Sequence, residues 1–341
     1  MMKTTILVLL AMFTFTAGAD EFLVRAPMAF TASSGIPVVK SYPLTGIQLI
    51  DVSSEEADRL RDRGFELERN QNIYLLDRGP ATTYESSDWH LETIHAPAAN
   101  ALPNGKGEGI TICVVDTGVD SSHPALIHTV IGGRNFSGEG EAEDFSDGFG
   151  HGTGIAGLIG GSSGVASGAK IYVAKVMSST GSGTLIAAAE GILDCIGRSQ
   201  VINLSFGMFE DSKIIRDVID EAIRNGLTVV AAAGNDPADL GFPARYAPVV
   251  AVGAVTRELK IPTFSARGES LDFVAPGEKV RVLMPGGGQA VHSGSSFSAA
   301  LVSGVEAIRL SRGTPQLRAL DLGFDPLEQG QGLINAYLSA Q

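Results

Sequence analysis

The chain has 341 residues, enough for one large domain of about 250 residues and a smaller one. Hydrophobic residues make up 44% and charged residues 18%, a mix that allows a full core and excludes wholesale disorder. A net charge of −13 argues against nucleic acid or an anionic membrane as a partner, and 2 cysteines are too few for a disulfide-dense scaffold or a four-thiolate zinc site.

Residues 1–19 have the layout of a secretory signal peptide: Lys3, an apolar run from Ile6 to Phe15, then Ala17-Gly18-Ala19. Cleavage is expected between Ala19 and Asp20, which gives an exported protein, extracellular or periplasmic. The run is short for a membrane span, so no stable membrane anchor is expected; an uncleaved anchor is the alternative. Residues 20–83 read as a small α+β unit. Gly46 to Val52 alternates like a half-buried strand. Ser53 stands three residues before Glu56, a capping-box spacing that opens a helix through Arg63, and Gly64 closes it. An alternating strand pair is expected from Phe65 to Leu76, followed by the polar linker Asp77 to Thr83.

Beyond the linker, apolar strands alternate with amphipathic helices. The strands are expected at 110–115, 171–176, 201–204 and 227–232, and the helices at 184–196 and 212–225. This order indicates a mostly parallel sheet covered on both faces, with its chemistry at the carboxyl ends of the strands. Asp116 is the first polar residue after the strand that ends Val114-Val115. His151 lies among glycines in Gly150-His151-Gly152-Thr153-Gly154, at a helix start. Asn235 follows the strand Val229 to Ala232. Ser296, in Gly294-Ser295-Ser296-Phe297-Ser298, opens another helix, where unpaired backbone N–H groups can bind a developing oxyanion. Each has a plain structural alternative, a turn cap, a satisfied histidine or an N-cap serine. Cys113 and Cys195 read as buried free thiols acting as small apolar groups, with a disulfide between them as the alternative.

Together, in the order Asp, His, Asn, Ser, these segments resemble the subtilisin-family serine proteases, the subtilases. The resemblance covers residues 84–341 and includes Asp116-Thr117-Gly118, Val201 to Gly207, Phe242-Pro243-Ala244 and Gly332-Leu333-Ile334-Asn335-Ala336. It implies an α/β, three-layer fold with a mostly parallel central sheet. It further implies a serine endopeptidase in which Ser296 attacks, His151 takes the proton, Asp116 holds the imidazole, and Asn235 with the Ser296 backbone N–H binds the oxyanion. The family's Gly-Thr-Ser-Met-Ala motif maps onto Gly294 to Ser298 and so selects Ser296 over Ser295.

Other roles follow from the same resemblance. Ser205, Phe206 and Gly207 correspond to the segment that pairs with an extended substrate, and Ala233, Gly234 and Gly241 to the lining of the main specificity pocket. The uncharged, open pocket implies a large apolar residue (Phe, Leu, Tyr or Met) before the cut in protein or peptide substrates. Residues 20–83 resemble the family's inhibitor-type propeptide, which acts as a folding aid and inhibitor of its own enzyme and is removed by self-cleavage within Asp77–Tyr84. A monomer is expected. No cofactor is required; Ala125 and the short loop Gly160 to Gly164 imply that the strong calcium site of bacterial subtilisins is absent, while calcium elsewhere stays open. Gly154, Ser298 and Ala300 depart from the family pattern. The rival readings are an aspartic protease, which Asp116-Thr117-Gly118 also matches but which needs a second such motif that the sequence lacks; a metalloprotease, which lacks its His-Glu-x-x-His motif; and a catalytically inactive subtilase-fold binding protein.

Overall fold

The computed structural model describes residues 20–25, 34–80, 88–237 and 239–341. The expected signal segment 1–19 and the expected junction between Thr83 and Tyr84 lie outside the described residues. The chain divides into two compact units between Asn70 and Gln71.

In the first unit the strands run in the order Lys40–Tyr42, Ile47–Val52, Asp20–Arg25 and Glu66–Arg69, all antiparallel. Helix Ser54–Asp62 begins as its spacing predicts: the Ser53 hydroxyl accepts the Glu56 N–H at 3.2 Å. Glu55 and Glu56 in the first turn and Arg59 and Arg61 in the last complement the helix dipole. Phe22, Val24, Ile50, Val52, Ala57 and Leu60 form its core. The strand Asp20–Arg25 carries no alternating pattern, because Phe22, Leu23 and Val24 are all buried.

The second unit is built on a nine-stranded sheet. From one edge, the order is Ala319–Leu320, Leu333–Ile334, Phe273–Pro276, Val250–Val255, Thr228–Ala232 and Val201–Leu204. It continues with Thr111–Asp116, Lys170–Lys175 and Val130–Asn135. Every pairing is parallel except that of the first two strands. The chain builds one side of strand Thr111–Asp116, then crosses to build the other, so the order reverses there. The crevice at the carboxyl ends of Thr111–Asp116 and Val201–Leu204 is therefore a topological switch point, where such sheets place their sites. Alternation along Thr111–Asp116 assigns the outer layers. Cys113 and Val115 face helix Leu185–Cys195, while Asp116 faces helix His151–Gly160 on the opposite side. The expected strands and helices of this unit all form within a residue or two; Thr184 and Ser212 cap their helices by accepting the N–H groups of Ala187 and Ile215.

Two expectations are corrected. Cys113 and Cys195 are not free thiols; they form a disulfide, Cα–Cα 5.8 Å, because the helix that carries Cys195 packs directly over the Cys113 strand. The Phe65–Leu76 stretch is not a strand pair either. Its second strand, Asn72–Leu75, belongs to the larger unit and pairs antiparallel with Phe206–Gly207 on one side and Ser182–Thr184 on the other.

The disulfide closes a segment with a sequence separation of 82. On the chain-entropy account, replacing both cysteines by alanine is expected to cost about 4 kcal/mol. Calorimetry of the double variant should show a lowered melting temperature; an unchanged one would mean that the bridge does not constrain the unfolded chain.

Candidate active site

Asp116 ends its strand with its side chain 1% exposed. One oxygen accepts the Thr117 N–H at 2.7 Å and faces His151 Nδ1 at 2.8 Å. An ionised carboxylate only accepts, so the neutral imidazole carries its proton on Nδ1 and presents Nε2 as a base. Nε2 is buried and has no partner among the described residues. Two glycines let the strand and the helix meet: a Cβ at Gly152 would lie 2.1 Å from the Gly118 carbonyl, and Gly118 itself adopts φ +106° against the Ser146 carbonyl.

Helix His151–Gly160 is entered through Gly150, which offers no capping side chain. Asp147 supplies the cap from upstream. Its Oδ1 accepts from the Thr117 hydroxyl and from the N–H groups of Phe149 and Gly150, and its Oδ2 accepts from the N–H and hydroxyl of Thr153, at 2.6–3.0 Å. Thr117 Oγ1 in turn accepts the Gly152 N–H at 3.0 Å. Asp147 thus ties the Asp116 turn to the His151 helix. Sequence reasoning missed it, although a glycine entry to a buried helix signals that an acceptor must lie nearby.

Ser296 stands in the first turn of helix Ser295–Arg312, which is buried through Ile308. Its hydroxyl donates to the Ser205 carbonyl at 2.9 Å, not to His151. Polar contacts fix the helix to the sheet: Ser303 donates to Asn203, Asn203 to the Ser205 hydroxyl, and that hydroxyl to the Ser296 carbonyl, at 2.8–3.1 Å. Asn235 Oδ1 accepts both the N–H and the hydroxyl of Ser295, at 2.9 and 3.0 Å, which orients the amide. Its Nδ2 is buried with no partner among the described residues, and a Cβ at Gly294 would lie 3.1 Å from it. Ser298 satisfies its hydroxyl on the Ala275 and Pro276 carbonyls, which accounts for a polar residue at that buried position.

The chain's own segment 71–80 runs through this cleft. Leu75 pairs with Phe206 and Tyr74 with Gly207, so the substrate-pairing segment named from sequence holds a strand. The Leu76 N–H donates to Ser205 at 3.5 Å, and the Leu76 carbonyl accepts from the Ser296 N–H at 3.4 Å. A Cβ on Gly294 would collide with that carbonyl at 2.2 Å, and the Leu76 side chain lies against Gly207. Ile73 is fully buried. Of the pocket residues named from sequence, Gly234 donates to the Ser295 hydroxyl, and Ala233 accepts the Gly241 N–H at 3.0 Å.

Burial works to lower the His151 pKa, but the Asp116 carboxylate, through its charge and its hydrogen bond, outweighs it with help from Asp77 and Asp147. The net result is raised above 6.5. Elsewhere, Ala125 offers no side-chain oxygen and its carbonyl accepts the Ser162 N–H at 3.0 Å. The neighbouring cavity of about 310 Å³ is lined by His90, His123 and Arg281 beside Asp88, a donor set that does not fit a hard cation. Among the described residues no cluster of three or more His, Cys, Asp or Glu is placed to hold a metal.

Residues 107–322 match the Subtilase family. The chain belongs to the subtilases. It is 36% identical to Subtilisin E of Bacillus subtilis over 300 residues, covering 81% of this chain and 77% of that protein. It is 35% identical to Subtilisin of Bacillus pumilus over 279 residues, 75% and 100% of the two chains, and 34% identical to M-protease of Shouchella clausii over 321 residues, 88% and 81%. This subtilase is accordingly a subtilisin-like serine endopeptidase. Its Asp147 cap yields a direct expectation: Asp147→Ala should destabilise this subtilase by about 2–4 kcal/mol, since it strands several buried donors. Urea unfolding in a Ser296→Ala background measures this, and a loss below 0.5 kcal/mol would contradict the role given to Asp147.

Proposed function

We propose that this subtilase is an exported, self-processing endopeptidase that uses Ser296, His151 and Asp116, prefers a large apolar residue before the cut, and matures by hydrolysing its own Leu76–Asp77 bond. The supporting observation is the Leu76 carbonyl on the Ser296 N–H, 3.4 Å away, near the Asn235 Nδ2 that has no partner among the described residues. The hydroxyl of Ser296, turned from Ser205 toward His151, attacks the Leu76 carbonyl carbon as Nε2 takes its proton. The resulting oxyanion is held by the Ser296 N–H and Asn235 Nδ2. The imidazolium, stabilised by Asp116, protonates the departing Asp77 nitrogen and leaves Leu76 as an ester on Ser296. Water, deprotonated by the same histidine, then releases the Leu76 carboxylate.

The bond Leu76–Asp77 lies one position ahead of the stretch Asp77–Tyr84 expected from sequence. Apolar preference rests on the Leu76 side chain against Gly207 and on buried Ile73 three residues earlier. On this reading the first unit is the propeptide that aids folding and inhibits the enzyme until it is removed, and the mature enzyme acts alone on protein or peptide substrates. Export rests on the N-terminal sequence and on the disulfide, a feature of oxidising compartments. None of the described helices is long and apolar enough to cross a membrane. A binding protein without activity would not need the buried Asp116–His151 pair, and no observation favours that alternative.

Intact mass and N-terminal sequencing of the purified product test the proposal. Wild type is expected to begin at Asp77, and Ser296→Ala to retain residues 20–76; a wild-type product with any other N-terminus would overturn the assigned bond. Asn235→Ala should lower kcat by about a hundredfold to a thousandfold with little change in KM, the range known for loss of one oxyanion donor in a subtilisin. His151 must be neutral to accept the proton, and its pKa is raised, so the acid limb of self-processing should fall above the ordinary 6.5. Asp77→Asn removes one of the charges that raise it and should move that limb to lower pH, as a pH series of processing rates would reveal.

A further inference from the structure

On the leaving side of the same bond the contacts are as specific as on the acyl side. The Asp77 side chain is 7% exposed, and its Oδ2 meets Nδ1 of His292, itself 12% exposed, at 2.7 Å. Its other oxygen accepts the Gly79 N–H at 2.8 Å, so both ends of the carboxylate are engaged. The chain beyond it runs antiparallel to the end of strand Gly288–His292: the Arg78 N–H donates to the Ser293 carbonyl at 2.8 Å, and Pro80 bridges to His292. Backbone bonds of this kind hold any sequence, whereas the carboxylate–imidazole contact depends on the side chain.

The histidine is itself held in place. Phe297, 1% exposed, sets its ring edge-on to His292 at 5.9 Å and tilted against His151 at 5.6 Å. One aromatic side chain, directly after the nucleophile, thus packs both imidazoles: the one that serves the reacting bond and the one beside the leaving residue. A histidine so placed donates Nδ1–H to a carboxylate; a lysine would require the other tautomer and forfeit that charge-assisted bond, and an uncharged residue gains less from it.

We propose that His292 is a specificity residue that selects an acidic side chain immediately after the cut, and that it thereby directs the maturation cleavage to the bond before Asp77. The inference rests on the proposed reading that Ser296 cleaves Leu76–Asp77. It goes beyond that reading by assigning His292, outside the triad and the oxyanion site, to recognition of the leaving residue. It also extends to substrates in general: among peptides with the same apolar residue before the cut, those with Asp next are taken first.

The test uses the processed enzyme and ten-residue peptides of the sequence 71–80, with Asp, Asn or Lys at the position of Asp77. Mass spectrometry locates the cut, and kcat/KM is compared between peptides within each enzyme, so that a general loss of activity in a variant cancels. Wild type is expected to favour Asp over Lys by about tenfold or more, the scale of a charge-assisted hydrogen bond. His292→Leu should bring that ratio toward one, and His292→Glu should invert it in favour of Lys. In the full-length chain, Asp77→Lys should slow processing and His292→Glu should restore it. Cutting after Leu76 with the same Asp-to-Lys ratio in wild type and His292→Leu would overturn the role of His292 while leaving the cleavage reading intact. Failure of wild type to cut after Leu76 would overturn both.

Discussion

A buried imidazole and a buried carboxylate, in contact at 2.8 Å, set the terms for the rest of the catalytic unit. Neither group survives desolvation alone; paired, each fixes the other's geometry and protonation. To bring them together, a strand end must touch a helix start at backbone distance, which explains the glycines at 118 and 152. Glycine at the helix entry leaves N–H groups without a cap, and Asp147 answers that need from outside the helix. The sheet topology meets the same demand at larger scale, since only the switch point leaves a crevice between the Asp116 strand and its neighbour Val201–Leu204. The Ser296 helix closes that crevice from the far strands.

On the proposed reading, the segment 71–77 uses the groups that a substrate would use. Its backbone adds a strand to Phe206–Gly207, and its Leu76 carbonyl lies against the Ser296 N–H. On the proposed reading, substrate and inhibitor are the same piece of chain, distinguished only by whether the bond has been cut. The Ser296 hydroxyl shares the Ser205 carbonyl with the Leu76 N–H. On the proposed reading, rotation about one side-chain torsion turns this hydroxyl toward Nε2 of His151, which has no partner among the described residues. The barrier to such a rotation is small beside that of peptide hydrolysis, so the observed bond is compatible with attack.

Much of this was legible in the sequence. Strands buried on both faces read as continuous apolar runs, and helices with a strong apolar stripe, such as Lys213–Arg224, read by their period. The four positions proposed as catalytic stood out because each sits at the end of such an element, in an order known from one family. What escaped notice had no local signature. Strand Asp20–Arg25 buries consecutive residues and shows no alternation. Segment 72–75 alternates correctly, but its partners lie more than a hundred residues away, so its pattern predicted a strand and not its neighbours. The disulfide depends on a helix-to-strand distance that no spacing encodes. Asp147 belongs to a loop, where a carboxylate is ordinarily a solvated turn residue, and only the fold shows its two oxygens fully used. His292 likewise looked ordinary until the chain beyond Leu76 was seen to lie against it.

Asp77 links the two sides of the site. Its carboxylate bonds His292, and its charge is one of those that make His151 more basic. Phe297 touches both rings, so the two histidines share packing as well as a common anion. On the proposed reading, a residue that binds best after the cut also strengthens the base that takes the Ser296 proton, while it raises the pH at which that base is neutral. On the proposed reading, tight recognition of the maturation site and its pH range come from one side chain and cannot be tuned separately. Neutralising Asp77 would sacrifice recognition to gain activity at lower pH. Retaining it confines rapid self-cleavage to conditions in which His151 has shed its proton.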